Sequence, residues 1–379
     1  MNLAAATVED LTADPHPILA AARAEGPVTW LPALDAWIVT GRDAAVQVMR
    51  DPVRFTVDDP RFTTGQILGP SMLSTDGAEH ARHRTPFNAW FADRSTLASL
   101  TEWMAATAAD LVAAIRPDGT AELRAGLAAP LAATTVTHAL ALDPPGADQL
   151  LTWYRIIVEG VQRLTAGDDP GGAPVAYREL AAAIRTTVEA DRAAALRLAA
   201  AALAADEVAA NAAVILFGGI ETSEGATANA LWYLLTHPDA LATVRDDRSL
   251  VPAAVEESLR LEPAAATIDR YATTDVDSHG AEIRRGDYVI VSLAGANRDP
   301  AVFDDPDRFR IDRRNTRSHT TFALGPHACL GIHLARAQTI AAIGAVLDGL
   351  PDIELSAEAT GPTGLVFRKA ADLHAHWTP

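Results

Sequence analysis

The chain has 379 residues, with 31 Lys+Arg against 49 Asp+Glu, and the net charge of −18 argues against nucleic acid as a default partner. A hydrophobic fraction of 49% is enough for a large core, and one cysteine excludes an intrachain disulfide framework, as suits a reducing compartment. Of the 31 basic residues only Lys369 is a lysine, a bias that reads as genome composition rather than chemistry. The first 26 residues carry neither a basic leader nor a sustained apolar run, so no signal peptide or membrane anchor is expected and the chain reads as soluble and cytoplasmic.

Taken in order, the pattern predicts a short helix over 18–25, strands over 28–31 and 36–40 around a Pro-Ala-Leu-Asp turn, and a helix over 42–50. Residues 51–77 read as irregular, with Pro52, Pro60 and Pro70; a segment of that length inside a compact domain is usually functional. A helix over 79–91 places His80 and Arg84 on one face, which alone fits a solvated surface. Alanine-rich helices over 97–116 and 122–142 suit scaffolding. Two more, over 150–164 and 175–203, flank a Gly/Asp/Pro break.

The longest apolar helix spans 205–236, and its centre, Phe217 to Ser223, conflicts with its surroundings. Gly218 and Gly219 each cost roughly 1 kcal/mol relative to alanine inside a helix. The carboxylate Glu221 follows in an apolar span. Such local conflict is expected at functional sites, although close helix packing at the glycines with a solvated Glu221 explains it equally well. A helix over 251–261 offers Glu256 or Glu257 to Arg260, a pair worth under about 1 kcal/mol if exposed. From Pro263 the pattern turns to strands: 267–272 alternates, and Ile283 with 288–291 suggests a hairpin around Arg285, Gly286 and Asp287.

Arg308, Arg310, Arg313, Arg314, Arg317 and His319 form a basic cluster in an acidic chain, either a solvated loop or a docking surface for an acidic partner. Cys329 then stands between Gly325 and Gly331, just before a helical pattern over 332–347. A sulfur at that place meets the positive end of the helix dipole and free backbone N–H groups, which favour the thiolate. A lone cysteine is more often a small core hydrophobe. The glycine frame, which lets the backbone bend around whatever the sulfur touches, shifts the reading toward a site.

The run Phe322-x-x-Gly325-x-x-x-Cys329-x-Gly331 resembles the haem-binding loop of the cytochrome P450 family, the haem-thiolate monooxygenases. His80/Arg84, Gly218 to Thr222 and Glu257/Arg260 resemble three further elements of that family, in its order, so the resemblance covers nearly the whole chain. One departure is Ala323, where the family usually has glycine; alanine fits if the local φ is negative.

The resemblance implies a mainly α fold with a smaller β region, a triangular helix-rich prism with haem between the long central helix and the Cys-loop helix, forming one domain over residues 1–379. It implies Cys329 as the iron ligand, with His80, Arg84, Arg270 and His327 on the haem propionates and Gly218, Gly219, Phe322 and Gly331 shaping the cofactor site. Glu221 and Thr222 deliver protons. Glu257 and Arg260 form a structural network whose third member is Arg308 or Arg313. The segment over 51–77 caps the substrate pocket, for which Phe62, Leu68, Met72, Phe217, Ala266 and Val366 are candidates, and the break between 164 and 175 resembles the family's mobile lid.

The haem is b-type, since no Cys-x-x-Cys-His run exists for covalent attachment. Electrons are expected from NAD(P)H through a separate ferredoxin docking near Arg308, Arg314 and Arg317. The implied function is insertion of one oxygen atom from O2 into a small molecule of secondary metabolism by a monomer that binds neither membrane nor nucleic acid. A peroxygenase driven by hydrogen peroxide and a non-catalytic haem-binding or recruiting protein are the alternatives, and an intact Glu221–Thr222 pair argues against both.

Overall fold

A computed structural model of the chain describes residues 2–142, 146–165, 167–190 and 193–379. Its contacts divide it into two compact units: the chain up to Thr56, Thr101–Leu131 and Glu221–Pro379 in the first, and Val57–Leu100 and Ala132–Ile220 in the second. The fold is mainly helical with a smaller β region.

The first unit holds the sheets. The largest has strand order Val28–Leu31, Ala36–Val39, Tyr288–Ser292, Thr267–Ala272, Phe55–Thr56. Only Ala36–Val39 and Tyr288–Ser292 run parallel, with Val39 opposite Val291; the other pairs are antiparallel. The turn between the first two strands is a 3-10 turn, Pro32–Leu34, closed by Asp35 at φ 47°. Asp is among the few residues other than glycine that visit this left-handed region readily. Valines and isoleucines of these strands pack with the helices His16–Glu25 and Arg42–Arg50 in two apolar clusters. The helices Val251–Leu261 and Ile332–Gly349 and the later part of Ala205–Leu235 share a third cluster with Trp377.

The expected hairpin over 283–291 is not formed. Ala281–Ile283 pairs with Val276–Ser278, while Tyr288–Ser292 pairs with Thr267–Ala272 and with Ala36–Val39. The turn at Gly286 (φ 90°) is present and its N–H donates to the Ala272 carbonyl. The turn chemistry was legible, but the choice of partner strand depends on burial against residues far away in the chain.

The second unit is helical. Ala147–Thr165 packs on Ala173–Glu189, closely enough that a Cβ on Gly160 would lie 2.3 Å from the Ala173 Cβ. The helix expected over 175–203 is two helices, Ala173–Glu189 and Ala194–Ala200; Ala166 of the break and Asp191 and Arg192 of that span lie outside the described residues. The segment over 51–77 is less irregular than expected, since it contributes the edge strand Phe55–Thr56 and the helix Thr63–Leu68. The stretch over 122–142 begins as strand Thr120–Glu122 and a π-helical turn, Arg124–Ala128, before Ala129–Ala139 becomes α. Among the described residues no helix is long and apolar enough to cross a membrane.

Candidate active site

In the first unit, Cys329 lies just before the helix Ile332–Gly349, whose N-cap is Gly331. Backbone bonds close its loop: the Cys329 N–H donates to the Phe322 carbonyl at 2.7 Å, and the Ala328 N–H to the Gly325 carbonyl at 3.1 Å. Gly325, at φ 76°, is required twice over, because a Cβ there would also lie 2.5 Å from the Met49 carbonyl oxygen. Ala323 does not have the negative φ expected of it. It sits at φ 53°, a left-handed alanine that costs about 1 kcal/mol, held by its N–H donating to the Thr320 carbonyl at 2.8 Å. The Phe322 ring carries the Arg336 guanidinium 4.6 Å from its centroid. His327 is half-buried at the end of the turn Gly325–His327.

Cys329 is exposed, so this thiol fills no core. A Cβ on Gly331 would meet nothing within 4 Å, so the glycine leaves open space beside the sulfur's loop. An exposed thiol on a loop closed by backbone hydrogen bonds before a helix N-terminus, with open space next to it, fits the soft sulfur ligand of a haem iron.

Two buried carboxylates anchor this loop region. Glu257 is fully buried and accepts from Arg260 Nη2 at 2.7 Å and Nε at 2.9 Å, from Arg313 Nε at 3.0 and 3.2 Å, and from the Arg310 N–H at 3.1 Å. Arg313 therefore supplies the third side chain. Arg308 contributes only its carbonyl, which accepts from both Arg260 and Arg313 at 3.2 Å. Glu256, the other candidate for Arg260, instead accepts from Arg336 Nη2 at 2.7 Å and faces Arg317 and His319 at 3.7 Å. Burial pushes the Glu256 carboxyl up, but His319 and Arg336 outweigh it and hold it at about 2. The basic cluster of the sequence thus divides. Arg313 and His319 turn inward, Arg310 pairs with Asp312, and Arg308, Arg314 and Arg317 are exposed.

The long helix Ala205–Leu235 contributes its residues up to Ile220 to the second unit and those from Glu221 on to the first. Its glycines have separate reasons. A Cβ on Gly219 would lie 2.6 Å from Val136 Cγ2, a close packing contact, whereas one on Gly218 would meet nothing within 4 Å. Glu221 is not simply solvated: Lys369 Nζ lies 2.8 Å from its Oε1. Thr222 follows on the same helix and is half-buried.

Arg270 is buried on the strand Thr267–Ala272, with Nη1 donating to the Asp269 carbonyl at 2.6 Å. Ala266 is buried in the cluster with Ile38 and Ile290, its N–H donating to the carbonyl of the exposed Val366 at 2.8 Å.

In the second unit, His80 is buried on the helix Gly77–Phe91 and Arg84 Nε donates to Asn88 Oδ1 at 3.1 Å. Leu68 and Phe217 line a small, largely apolar pocket with Leu150, Tyr154, Leu180 and Ile220. Met72 is buried beside that helix segment, its N–H donating to Asn211 Oδ1 at 2.8 Å, and Phe62 precedes the helix Thr63–Leu68. Sequence reasoning did not single out Asn211, which also donates to the buried His83 Nδ1 at 2.7 Å. Glu79, His83 and Glu207 cluster as metal ligands would, but Arg82 already supplies the cation, its Nη1 donating to Glu207 Oε2 at 3.0 Å.

The family model for Cytochrome P450 matches residues 182–349. The chain is 34% identical over 369 residues to the cytochrome P450 monooxygenase PikC of Streptomyces venezuelae, covering 92% of this chain and 86% of PikC. It is 33% identical over 346 residues to cytochrome P450 107B1 of Saccharopolyspora erythraea, covering 86% and 84% of the two chains. The crystal structure of CalO2 superposes with a TM-score of 0.89 at 28% identity over 98% of each chain. That of P450BioI, in complex with an acyl carrier protein ligated to hexadec-9Z-enoic acid, does so with a TM-score of 0.88 at 25% identity over 97% of this chain and 99% of that one.

The fold and these relatives define a haem-binding oxidoreductase. The chain belongs to the cytochrome P450 family, among its bacterial monooxygenases. Members use haem b, with electrons passed from NAD(P)H through ferredoxin and reductase partners.

Proposed function

We propose that the chain is a dioxygen-dependent monooxygenase that hydroxylates or otherwise oxidises a small molecule of secondary metabolism. In this reading it acts as a single P450 domain over residues 1–379, as a cytoplasmic monomer. The observation that carries the proposal is the exposed Cys329 on its self-closed loop, in a chain that also keeps the acid–alcohol pair Glu221–Thr222.

Cys329 would hold the haem iron as thiolate. Arg270, His327, His80 and Arg84 are each assigned to a propionate, where an arginine gives the stronger, charge-assisted bond. Gly331 and Gly218 keep side chains away from the cofactor. When bound, haem supplies the electron-transfer and dioxygen chemistry that no side chain provides. The Cys329 sulfur would supply electron density to the bound iron. Glu221 takes up protons at its carboxylate and passes them on, and the Thr222 hydroxyl fixes the hydrogen-bond acceptor that receives them.

The small apolar pocket at Leu68 and Phe217 marks where an apolar group of the substrate would lie, with Phe62 and Met72 of the same unit as further candidates. Arg308, Arg314 and Arg317 form the docking patch for an acidic ferredoxin. A peroxygenase has no need of the Glu221–Thr222 pair, and a recruiting protein has no need of proton delivery, so both readings rank below this one.

Thr222→Ala tests the assignment. Oxygen consumption should continue while the share released as hydrogen peroxide rises and product falls. Unchanged coupling removes Thr222 from its role.

A further inference from the structure

Lys369 is the only lysine in the chain, and its position is built rather than incidental. The strand Lys369–Asp372 meets the long helix where Gly225 admits it: a Cβ on Gly225 would lie 3.4 Å from the Arg368 carbonyl oxygen, 3.4 Å from the Lys369 Cβ and 2.9 Å from the Ala264 Cβ. The fully buried Asn229 then brackets Lys369. Its Nδ2 donates to the Arg368 carbonyl at 3.0 Å and its Oδ1 accepts from the Ala370 N–H at 2.9 Å. With its backbone fixed on both sides, Lys369 reaches two carboxylates of the helix. Nζ lies 2.8 Å from Glu221 Oε1 and 3.1 Å from Glu224 Oε1, and Arg124 Nη1 stands 3.4 Å from that same Glu224 oxygen.

Carboxylates three residues apart on a helix face each other and repel. One ammonium between them offsets the repulsion, and the two compete for it. We propose that Glu224 and Lys369 are positioning residues for Glu221: ionised Glu224 draws Lys369 away and loosens Glu221, whereas protonated Glu224 leaves Lys369 to hold Glu221 alone. The inference rests on the role of Glu221 in proton delivery proposed above.

The groups facing Glu224 are Lys369, Glu221 and Arg124. Burial, opposed by Lys369 and Arg124 and aided by Glu221, pushes the Glu224 carboxyl up, so its switch lies above the ordinary glutamate range. Below that pH Lys369 holds Glu221 more tightly and proton delivery slows; above it the Lys369 hold on Glu221 loosens.

The single lysine makes a direct test possible. Holoenzyme carrying lysine labelled with carbon-13 at Cε and nitrogen-15 at Nζ gives one side-chain signal. Its shift should step once above the ordinary glutamate range as pH is lowered, and Glu224→Gln should abolish the step. A step that survives Glu224→Gln, or no step in the unmutated protein, overturns the proposal.

The second readout is the share of reducing equivalents recovered as hydrogen peroxide rather than water, measured without substrate and with a plant-type ferredoxin as donor. In the unmutated enzyme the share should rise as pH falls through the lysine step. In Glu224→Gln it should be at least twofold higher at pH 8 and flat with pH. Equal shares in the unmutated enzyme and Glu224→Gln at pH 8 overturn the proposal. The lysine titration needs no turnover, so failure of the haem-thiolate reading would show in the carbon-monoxide spectrum and not in this signal.

Discussion

Arg313→Ala removes one arm of the buried network around Glu257, and the structure sets the size of the loss. Arg313 Nε lies within 3.2 Å of both Glu257 oxygens, and its two Nη atoms donate to the carbonyls of Asp304, Asp305 and Arg308. Breaking a buried ion pair by removing one partner costs about 3–5 kcal/mol. Glu257 would keep Arg260 and the Arg310 N–H, which places the expected loss near the lower end, about 3 kcal/mol. Against a typical native stability of about 5–15 kcal/mol this is a large share.

Arg308→Ala is the control. Its exposed side chain makes no contact that the network needs, and alanine keeps the carbonyl that does, so the change should stay within about 0.5 kcal/mol. Urea unfolding followed by far-ultraviolet circular dichroism measures both, with the shift read from the midpoint at unchanged slope. A loss below about 1 kcal/mol for Arg313→Ala, or equal losses for the two variants, would refute the reasoning that buried charge, and not proximity in sequence, decides the third member.

Two further outcomes are expected. Buried Glu262 accepts from Arg368 Nε at 2.7 Å and Tyr233 Oη at 3.1 Å, with His16 Nε2 at 3.0 Å; burial pushes its carboxyl up, but His16, Arg368 and Arg298 outweigh this and hold it at about 2. A folded value below the unfolded one means that its stabilisation, about 3 kcal/mol, is present above roughly pH 4.3 and lost as pH falls toward 2. Urea unfolding between pH 5 and pH 2.5 should therefore show a shallower acid slope in Glu262→Gln, and an identical slope would contradict the assignment. Arg314→Glu with Arg317→Glu should slow reduction by a ferredoxin, most at low ionic strength; rates with an unchanged salt dependence in stopped-flow mixing would dismiss the docking patch.

What the sequence made legible was local. The helices Val251–Leu261 and Arg42–Arg50 were bounded correctly because their apolar spacing ends at clear breakers. The Cys329 loop was readable because its glycines, thiol and following helix are contiguous. Other features depend on distant partners. Arg308 and Arg313 are equivalent in pattern, and only the chain's return to Glu257 separates them. Gly218 and Gly219 read as one unit, yet Val136 explains the second and open space the first. The backbone angle at Ala323 is set by the turn around it, with no signal in the residue type, which argued for the opposite sign. Lys369 was visible as the only lysine, but nothing near it in sequence pointed to Glu221 and Glu224. Glu262 was missed because its partners His16, Arg298 and Arg368 are spread over most of the chain.

The spectrum of the reduced carbon-monoxide complex tests the central claim most directly, because the position of its Soret band reports whether sulfur ligates the iron. The red-shifted thiolate band is expected in the unmutated protein, and its loss in Cys329→Ser. A haem-loaded protein that never shows that band, or a Cys329→Ser variant that keeps it, would contradict the assignment of Cys329 as the ligand.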